Sequence, residues 1–286
     1  MVINMLVNSK EMLEKARINK YAVPHFNINN LEWTRFILEE CQNNKSPVIL
    51  GVSEGAAKYM GGYNVVSSMV KELIKSLNIT IPVALHLDHG SSVECNIEAI
   101  NNGFTSVMID ASKYDLETNI RMTNEVVEYA RKFNVTVEAE IGHIGGSEDG
   151  ISSELAYAKV EDAVELYKKT NIDSIAPALG SVHGIYKGEP KLDFDKMKEI
   201  SDIVNIPLVL HGGSGIDDEK IRKAILSGIC KVNINTELQI EWNKGVREFI
   251  AVSNEYDPRK IIKSGEKAMK EIIKSKIELL GSNNKA

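Results

Sequence analysis

Pro82-Val83-Ala84-Leu85-His86-Leu87-Asp88-His89-Gly90 reads as an apolar strand that runs directly into aspartate, histidine and glycine at its carboxyl end. A carboxylate and an imidazole therefore sit where a site would form. Two later apolar runs lead into similar chemistry: one precedes Gly180-Ser181-Val182-His183-Gly184, and Pro207-Leu208-Val209-Leu210 precedes His211-Gly212-Gly213-Ser214-Gly215. Three strands thus each deliver a histidine at or just past the carboxyl end. Each histidine adjoins glycine, which permits close approach of backbone or ligand.

Working outward, short β-rich runs recur at Tyr21 to Asn27, Pro47 to Val52, Pro82 to Leu87, Thr105 to Asp110, Val135 to Glu140, Ile172 to Pro177, Pro207 to His211 and Cys230 to Ile234. Helix-period segments lie between them: Leu31 to Asn43, Val65 to Leu77, Ser92 to Asn102, Leu116 to Phe133, Val160 to Thr170, Phe194 to Val204 and Asp217 to Leu226. Strict alternation of strand and helix predicts an α/β fold with a parallel sheet. Eight repeats in 286 residues favour a closed (β/α)8 TIM barrel over a doubly wound sheet. No low-complexity linker divides the chain, so residues 1–286 are expected to form a single barrel domain. Ile261 to Leu280 reads as a final amphipathic helix, a C-terminal helical extension, ahead of a polar tail expected to fray.

A barrel collects its active residues at the carboxyl ends of the strands. Those ends, or the loops just after them, offer Asn27, Ser53, Asp88 with His89, Asp110, Glu140, His183, His211 and Asn233. The strand interiors stay largely apolar. Composition narrows the partners: net charge is -6, and Lys and Arg are scattered among Asp and Glu, leaving no basic stripe for nucleic acid. No apolar stretch approaches membrane-spanning length. The three cysteines, Cys41, Cys95 and Cys230, follow no disulfide or zinc spacing and suit a reducing compartment, so a cytoplasmic protein is expected.

Neutral imidazoles are favoured ligands for zinc and related divalent ions, and a catalytic site typically uses three protein ligands and leaves one position open. His89, His183 and His211 would supply that set. Taken singly, each is more readily a satisfied core or loop histidine; together, at one rim, they are less easily dismissed. His86 is read as a core or outer-layer residue, and His25 and His143 have weaker claims. Asp110 and Glu140 end neighbouring strands and would hold a second cation, divalent or monovalent, or an alternative position of the first, or else would hydrogen-bond the rim backbone. Gly212 to Gly215 follow the seventh strand, and Lys231-Val232-Asn233-Ile234-Asn235-Thr236 carries the eighth into a helix. In barrels this is the usual phosphate site, with loop amides, a hydroxyl and a helix amino terminus as donors. The alternative is a tight turn with a helix cap at Thr236.

These residues resemble the class II fructose-bisphosphate aldolases, the metal-dependent family that also contains tagatose-bisphosphate aldolases. The resemblance spans nearly the whole chain: Phe26-Asn27, Gly51 to Ala56, His86 to Gly90, Val137 to Gly142, Gly180 to Gly184, His211 to Gly215 and Asp257-Pro258-Arg259. It implies a glycolytic lyase in which His89, His183 and His211 bind catalytic zinc, Asp110 and Glu140 match a second metal position, and Asp88 exchanges a proton with the substrate. Glu148, in the glycine-flanked loop Gly145 to Gly150, aligns with a glutamate that handles the proton on the ene-diolate carbon. Gly184, Gly212, Gly213, Ser214, Asn233, Asn235 and Thr236 match positions that hold dihydroxyacetone phosphate, with Lys187 as helper and Asn27 beside them. Ser53 and Arg259 look like contacts for the other phosphate, and an arginine reaching across from a neighbouring subunit implies a homodimer or homotetramer. Asn235 resembles the fructose-cleaving members, where tagatose enzymes tend to carry a small residue. The rival expectations are a tagatose 1,6-bisphosphate aldolase, a barrel metallohydrolase and a non-catalytic sugar-phosphate binding protein.

Overall fold

The computed structural model describes residues 5–148, 151–186 and 188–286, and of 147, 148 and 151–153 the backbone alone. Eight parallel strands close a barrel: β1 (Val23–Asn27), β2 (Val48–Ser53), β3 (Val83–Gly90), β4 (Ser106–Ile109), β5 (Thr136–Ile141), β8 (Ser174–Pro177), β10 (Leu208–Leu210) and β11 (Ile229–Ile234). The three remaining strands, β6 (Gly145–Glu148), β7 (Ile151–Ser153) and β9 (Val182–His183), form a small sheet of their own. Around the barrel run α1 (Lys10–Asn19), α2 (Leu31–Asn43), α3 (Glu54–Tyr59), α4 (Tyr63–Ser76), α5 (Val93–Asn101), α6 (Leu116–Arg131), α7 (Val160–Thr170), α8 (Phe194–Val204), α9 (Asp218–Leu226), α10 (Thr236–Val252), α11 (Pro258–Lys263) and α12 (Glu266–Leu280).

Local chemistry sets the boundaries. Asn30, Ser92, Asp115 and Asp193 each accept a first-turn amide at the starts of α2, α5, α6 and α8. Asn171, Asn205 and Gly281 end α7, α8 and α12 in the left-handed conformation that lets the last turn close. The outward faces of the strands pack with the helices in one continuous apolar cluster.

The inward faces are layered. At the amino-terminal end α1 brings Met12, Leu13 and Ala16 against Val23, Ile49, Ala84 and Cys230 in an apolar floor. One step up, two residues along β1 and β3, the buried side chains turn polar with His25 and His86, joined at this level by Ser106, Glu138 and Lys231. One step further lie Asn27, Asp88, Asp110, Glu140 and Asn233 at the rim. Gly51 on β2 makes room for this middle layer, because a Cβ there would stand 1.6 Å from His25 Nε2.

Three expectations change. The final amphipathic segment is two helices, broken at Ser264 and Gly265, where the backbone packs so tightly on Trp242 that a Cβ on Gly265 would stand 2.4 Å from Trp242 Cδ1. The tail does not fray: Ser282 is buried with its Oγ 2.7 Å from Ser46 Oγ, and the amides of Asn284 and Lys285 donate to the carbonyls of Asn44 and Lys45. The described part of the Gly145 to Gly150 segment is strand rather than loop, antiparallel to β7 and parallel to β9.

Candidate active site at the carboxyl rim

Asp88 and His89 are consecutive, so a regular strand would send them to opposite faces. Instead His89 takes a left-handed backbone (φ +51°), and the β3–β4 register shifts between Leu87 and Gly90. That kink lets Asp88 point into the barrel while the His89 ring turns over the rim. His183 comes from β9, whose register is set by pairing Gly146 with His183. His211 follows β10 directly, and Gly212 beside it (φ +62°) runs so close to the His183 segment that a Cβ would lie 2.1 Å from the Val182 carbonyl. Tyr186 ties the two segments together, accepting from the Val182 amide at 3.0 Å and donating to the Gly212 carbonyl at 2.8 Å.

The three rings meet edge-on, with centroid separations of 4.8, 4.6 and 5.7 Å. One nitrogen of each lies within 4.8 Å of the others. The protons of His89 and His211 are assigned by carboxylates, which when ionised only accept. Asp110 Oδ2 lies 2.8 Å from His89 Nδ1, and Glu138 Oε1 lies 3.0 Å from His211 Nε2. Both remaining nitrogens, His89 Nε2 and His211 Nδ1, therefore face each other at 2.9 Å. Nitrogens on tetrahedral zinc, at about 2.0–2.1 Å from the metal, stand roughly 3.3 Å apart, so this donor set fits a divalent cation. Burial pushes the His183 and His211 pKa values down, toward the neutral form a metal requires. His89 runs the other way: burial alone would lower it, but Asp110, Asp88 and Glu140 raise it well above the usual range.

A second group combines His89, Asp110 and Glu140. Glu140 Oε1 accepts from the Ile144 amide at 2.9 Å, whereas Oε2 is buried without a hydrogen-bond donor. Burial, then Asp110, lifts its pKa to about 8. A carboxylate oxygen in that condition suits a cation. Asp88 is held differently: Asn27 and Asn233 donate to its two oxygens at 2.9 and 3.3 Å, and His25 Nε2 lies 3.6 Å away. Burial opposes its charge, yet His25, His89, His211 and Lys231 together keep it well below the usual carboxylate range.

The two phosphate-type loops also come together. Ser214 Oγ accepts from the amides of Asn235 and Glu237, both at 3.3 Å, and the Gly213 amide donates to the Asn233 carbonyl at 2.9 Å. The cap position of α10 is Asn235 rather than Thr236. Ser53 caps α3 by accepting from the Ala56 amide at 3.1 Å. Arg259 is paired with Asp257 and its side chain is 88% exposed. Gly184 has φ +83° beside His183. Lys187 lies outside the described residues, and so does the side chain of Glu148, whose backbone ends β6. The sequence reading missed Glu138 and Lys231, which reach the histidines from below. Their signal was a charge inside an otherwise apolar strand, two residues before Glu140 and Asn233.

A parallel barrel that gathers three imidazoles and several carboxylates at the carboxyl ends of its strands defines a (β/α)8-barrel enzyme with a candidate metal centre. The family model for class II fructose-bisphosphate aldolases matches residues 7–285. A fructose-bisphosphate aldolase of Geobacillus stearothermophilus is 57% identical over 98% of this chain and 99% of its own, and one of Staphylococcus aureus is 54% identical over the same shares. Among solved structures, the YdjI aldolase of Escherichia coli superposes with a TM-score of 0.87 at 35% identity, covering 98% of this chain and 99% of that one. The chain belongs to the class II fructose-bisphosphate aldolase family. It is a carbon–carbon lyase, and its reaction is the reversible aldol cleavage of fructose 1,6-bisphosphate.

Proposed function

We propose that this cleavage, to dihydroxyacetone phosphate and glyceraldehyde 3-phosphate, proceeds at the rim with a zinc ion held by His89, His183 and His211 and a second cation, divalent or monovalent, at Asp110 and Glu140. The reading is carried by the facing nitrogens of His89 and His211, 2.9 Å apart, whose opposite nitrogens are both committed to carboxylates. When bound, the zinc supplies Lewis-acid stabilisation of the negative charge that grows on the C2 oxygen as the C3–C4 bond breaks.

Asp88, ionised and steadied by Asn27 and Asn233, takes the proton of the C4 hydroxyl. The C3–C4 electron pair stays with the dihydroxyacetone phosphate half, and Glu148 returns a proton to C3. Backbone pairing of its strand β6 with β9, the strand of His183, supports that placement. In condensation both transfers reverse. Gly184, Gly212 to Ser214 and Asn233 to Thr236 hold one phosphate with the help of Lys187, on loops that Ser214 stitches to the start of α10. Ser53 and Arg259 take the other, and the exposure of Arg259 suits delivery into a neighbouring subunit of a homodimer or homotetramer. Asn235 and the naming of relatives at 54–57% identity favour the fructose over the tagatose isomer. We place the enzyme in cytoplasmic glycolysis; among the described residues Cys41, Cys95 and Cys230 are unbridged, and no helix is long and apolar enough to cross a membrane.

A coupled assay of both ketose bisphosphates, with and without chelator, tests the reading. Triose phosphate should form from fructose 1,6-bisphosphate, stop on chelation and resume with zinc or cobalt, and borohydride with substrate should not inactivate. Inactivation by borohydride would mean a lysine imine and end the metal mechanism.

A further inference from the structure

Between the rim and the apolar floor lies an ion pair that has no role of its own in the proton transfers. Lys231 Nζ stands 2.7 Å from Glu138 Oε2, with the two side chains 1% and 2% exposed. Two charges buried this deeply cost more than apolar side chains of the same volume, and the floor one layer below shows that such filling is available to this barrel. The pair is not isolated. Glu138 Oε1 meets His211 Nε2 at 3.0 Å, Lys231 Nζ meets His86 Nε2 at 3.3 Å, and His86 Nδ1 meets Ser106 Oγ at 2.8 Å.

The hydrogen-bonding inventory of these groups leaves one consistent assignment. A lysine ammonium has only donors, so His86 Nε2 must accept and the His86 proton sits on Nδ1, directed at Ser106. An ionised carboxylate only accepts, so His211 carries its proton on Nε2 and keeps the Nδ1 lone pair toward His89. One ion pair thereby fixes two imidazoles in opposite tautomers, the ammonium acting on His86 and the carboxylate on His211.

We propose that Lys231 and Glu138 are positioning residues: the buried pair locks His211 in the Nε2–H tautomer, so that Nδ1 is presented to the metal, and locks His86 in the Nδ1–H tautomer. The proposal rests on the reading of His211 as a metal ligand. It predicts an unusual pattern of loss and rescue. In Glu138→Gln the glutamine carbonyl must turn to Lys231, which can only donate. The amide N–H then faces His211 Nε2, and the ring proton is driven to Nδ1, where it blocks the metal. In the double variant Glu138→Gln/Lys231→Met that demand is gone, the glutamine can turn its carbonyl back to His211, and Nδ1 is released.

Two measurements on the full chain test this: nitrogen-15 NMR of the histidine rings in metal-free protein, and zinc dissociation constants from competition with a chromophoric chelator. The wild type should show His211 as Nε2–H and His86 as Nδ1–H. Glu138→Gln should bind zinc 10–100-fold more weakly, the range found for other partners of metal-ligating histidines, with His211 shifted to Nδ1–H. The double variant should regain affinity over the single one. A purely structural role predicts the double variant at least as impaired as the single. That result, an affinity of Glu138→Gln within twofold of wild type, or His211 found as Nδ1–H in the wild type, would overturn the proposal. If Glu138→Gln fails to fold, the wild-type NMR assignment still overturns the proposal when His211 is found as Nδ1–H, and Lys231→Met, expected to release His86 from the Nδ1–H tautomer, replaces the single variant. Failure of the wild type itself to bind zinc would instead overturn the metal reading.

Discussion

The floor and the upper layers of the barrel are built from the same strands two residues apart, yet they have opposite chemistry. Val23 precedes His25 and Asn27, Ala84 precedes His86 and Asp88, and Ile49 precedes Gly51 and Ser53. The lower positions meet α1 in an apolar contact that can only stabilise. The upper ones hold carboxylates, imidazoles and a lysine in a buried setting, where every unmatched group costs free energy. One end of the barrel contributes folding stability and the other spends some of it on chemistry, and the two-residue strand period lets both coexist without a separate domain.

The comparison predicts that rate and stability respond separately. Asp88→Ala should lower kcat on the order of 10²–10⁴-fold while circular dichroism and content of any bound metal match the wild type. A loss of less than tenfold would leave Asp88 an orienting role only. Leu13→Ala, in the floor, should cost about 2–5 kcal/mol in denaturant unfolding with kcat unchanged per folded molecule. A fall in kcat at full stability would show that floor and rim are not independent.

The same alternation explains how far the sequence was legible. All eight strands and the placement of Asp88, His89, His211 and Asn233 follow from the β-rich runs that alternate with helix-period segments and from the rule that barrel sites gather at strand ends. Helix α1 escaped notice because it precedes the first strand, outside the repeat, and its role is visible only when the floor it covers exists. Glu138 and Lys231 were invisible for another reason: 93 positions apart in the chain, they become partners only when β5 and β11 face each other across the barrel. The split of the last helix at Gly265 depends on Trp242, a tertiary neighbour no local pattern reveals.

Gly51→Ala probes the boundary between the layers. Its new Cβ would fall 1.6 Å from His25 Nε2, so His25 must move. Overpacking of this kind costs about 1–3 kcal/mol, and because His25 lies 3.6 Å from Asp88, kcat should fall as well. Unfolding curves and initial rates on one preparation would check both. A drop in stability with unchanged kcat would confine His25 to packing.

Taken per pH unit rather than as a single step, the last effect is a slope. Glu140 has its folded-state pKa raised from 4.5 to about 8, chiefly by burial and then by Asp110. Between those two values the native protein keeps a proton that the unfolded chain has released, so this group makes stability fall as pH rises, by at most about 1.4 kcal/mol per pH unit. Glu140→Gln mimics the protonated form at every pH. The stability of metal-free wild type relative to this variant should therefore decline from pH 4.5 toward 8 and level off above, in denaturant midpoints taken across that window. A difference that stays constant would mean that Glu140 is already ionised in the folded protein. The rim would then tolerate its charges as readily as the floor tolerates its methyl groups, and the contrast between the two ends would lose its energetic content.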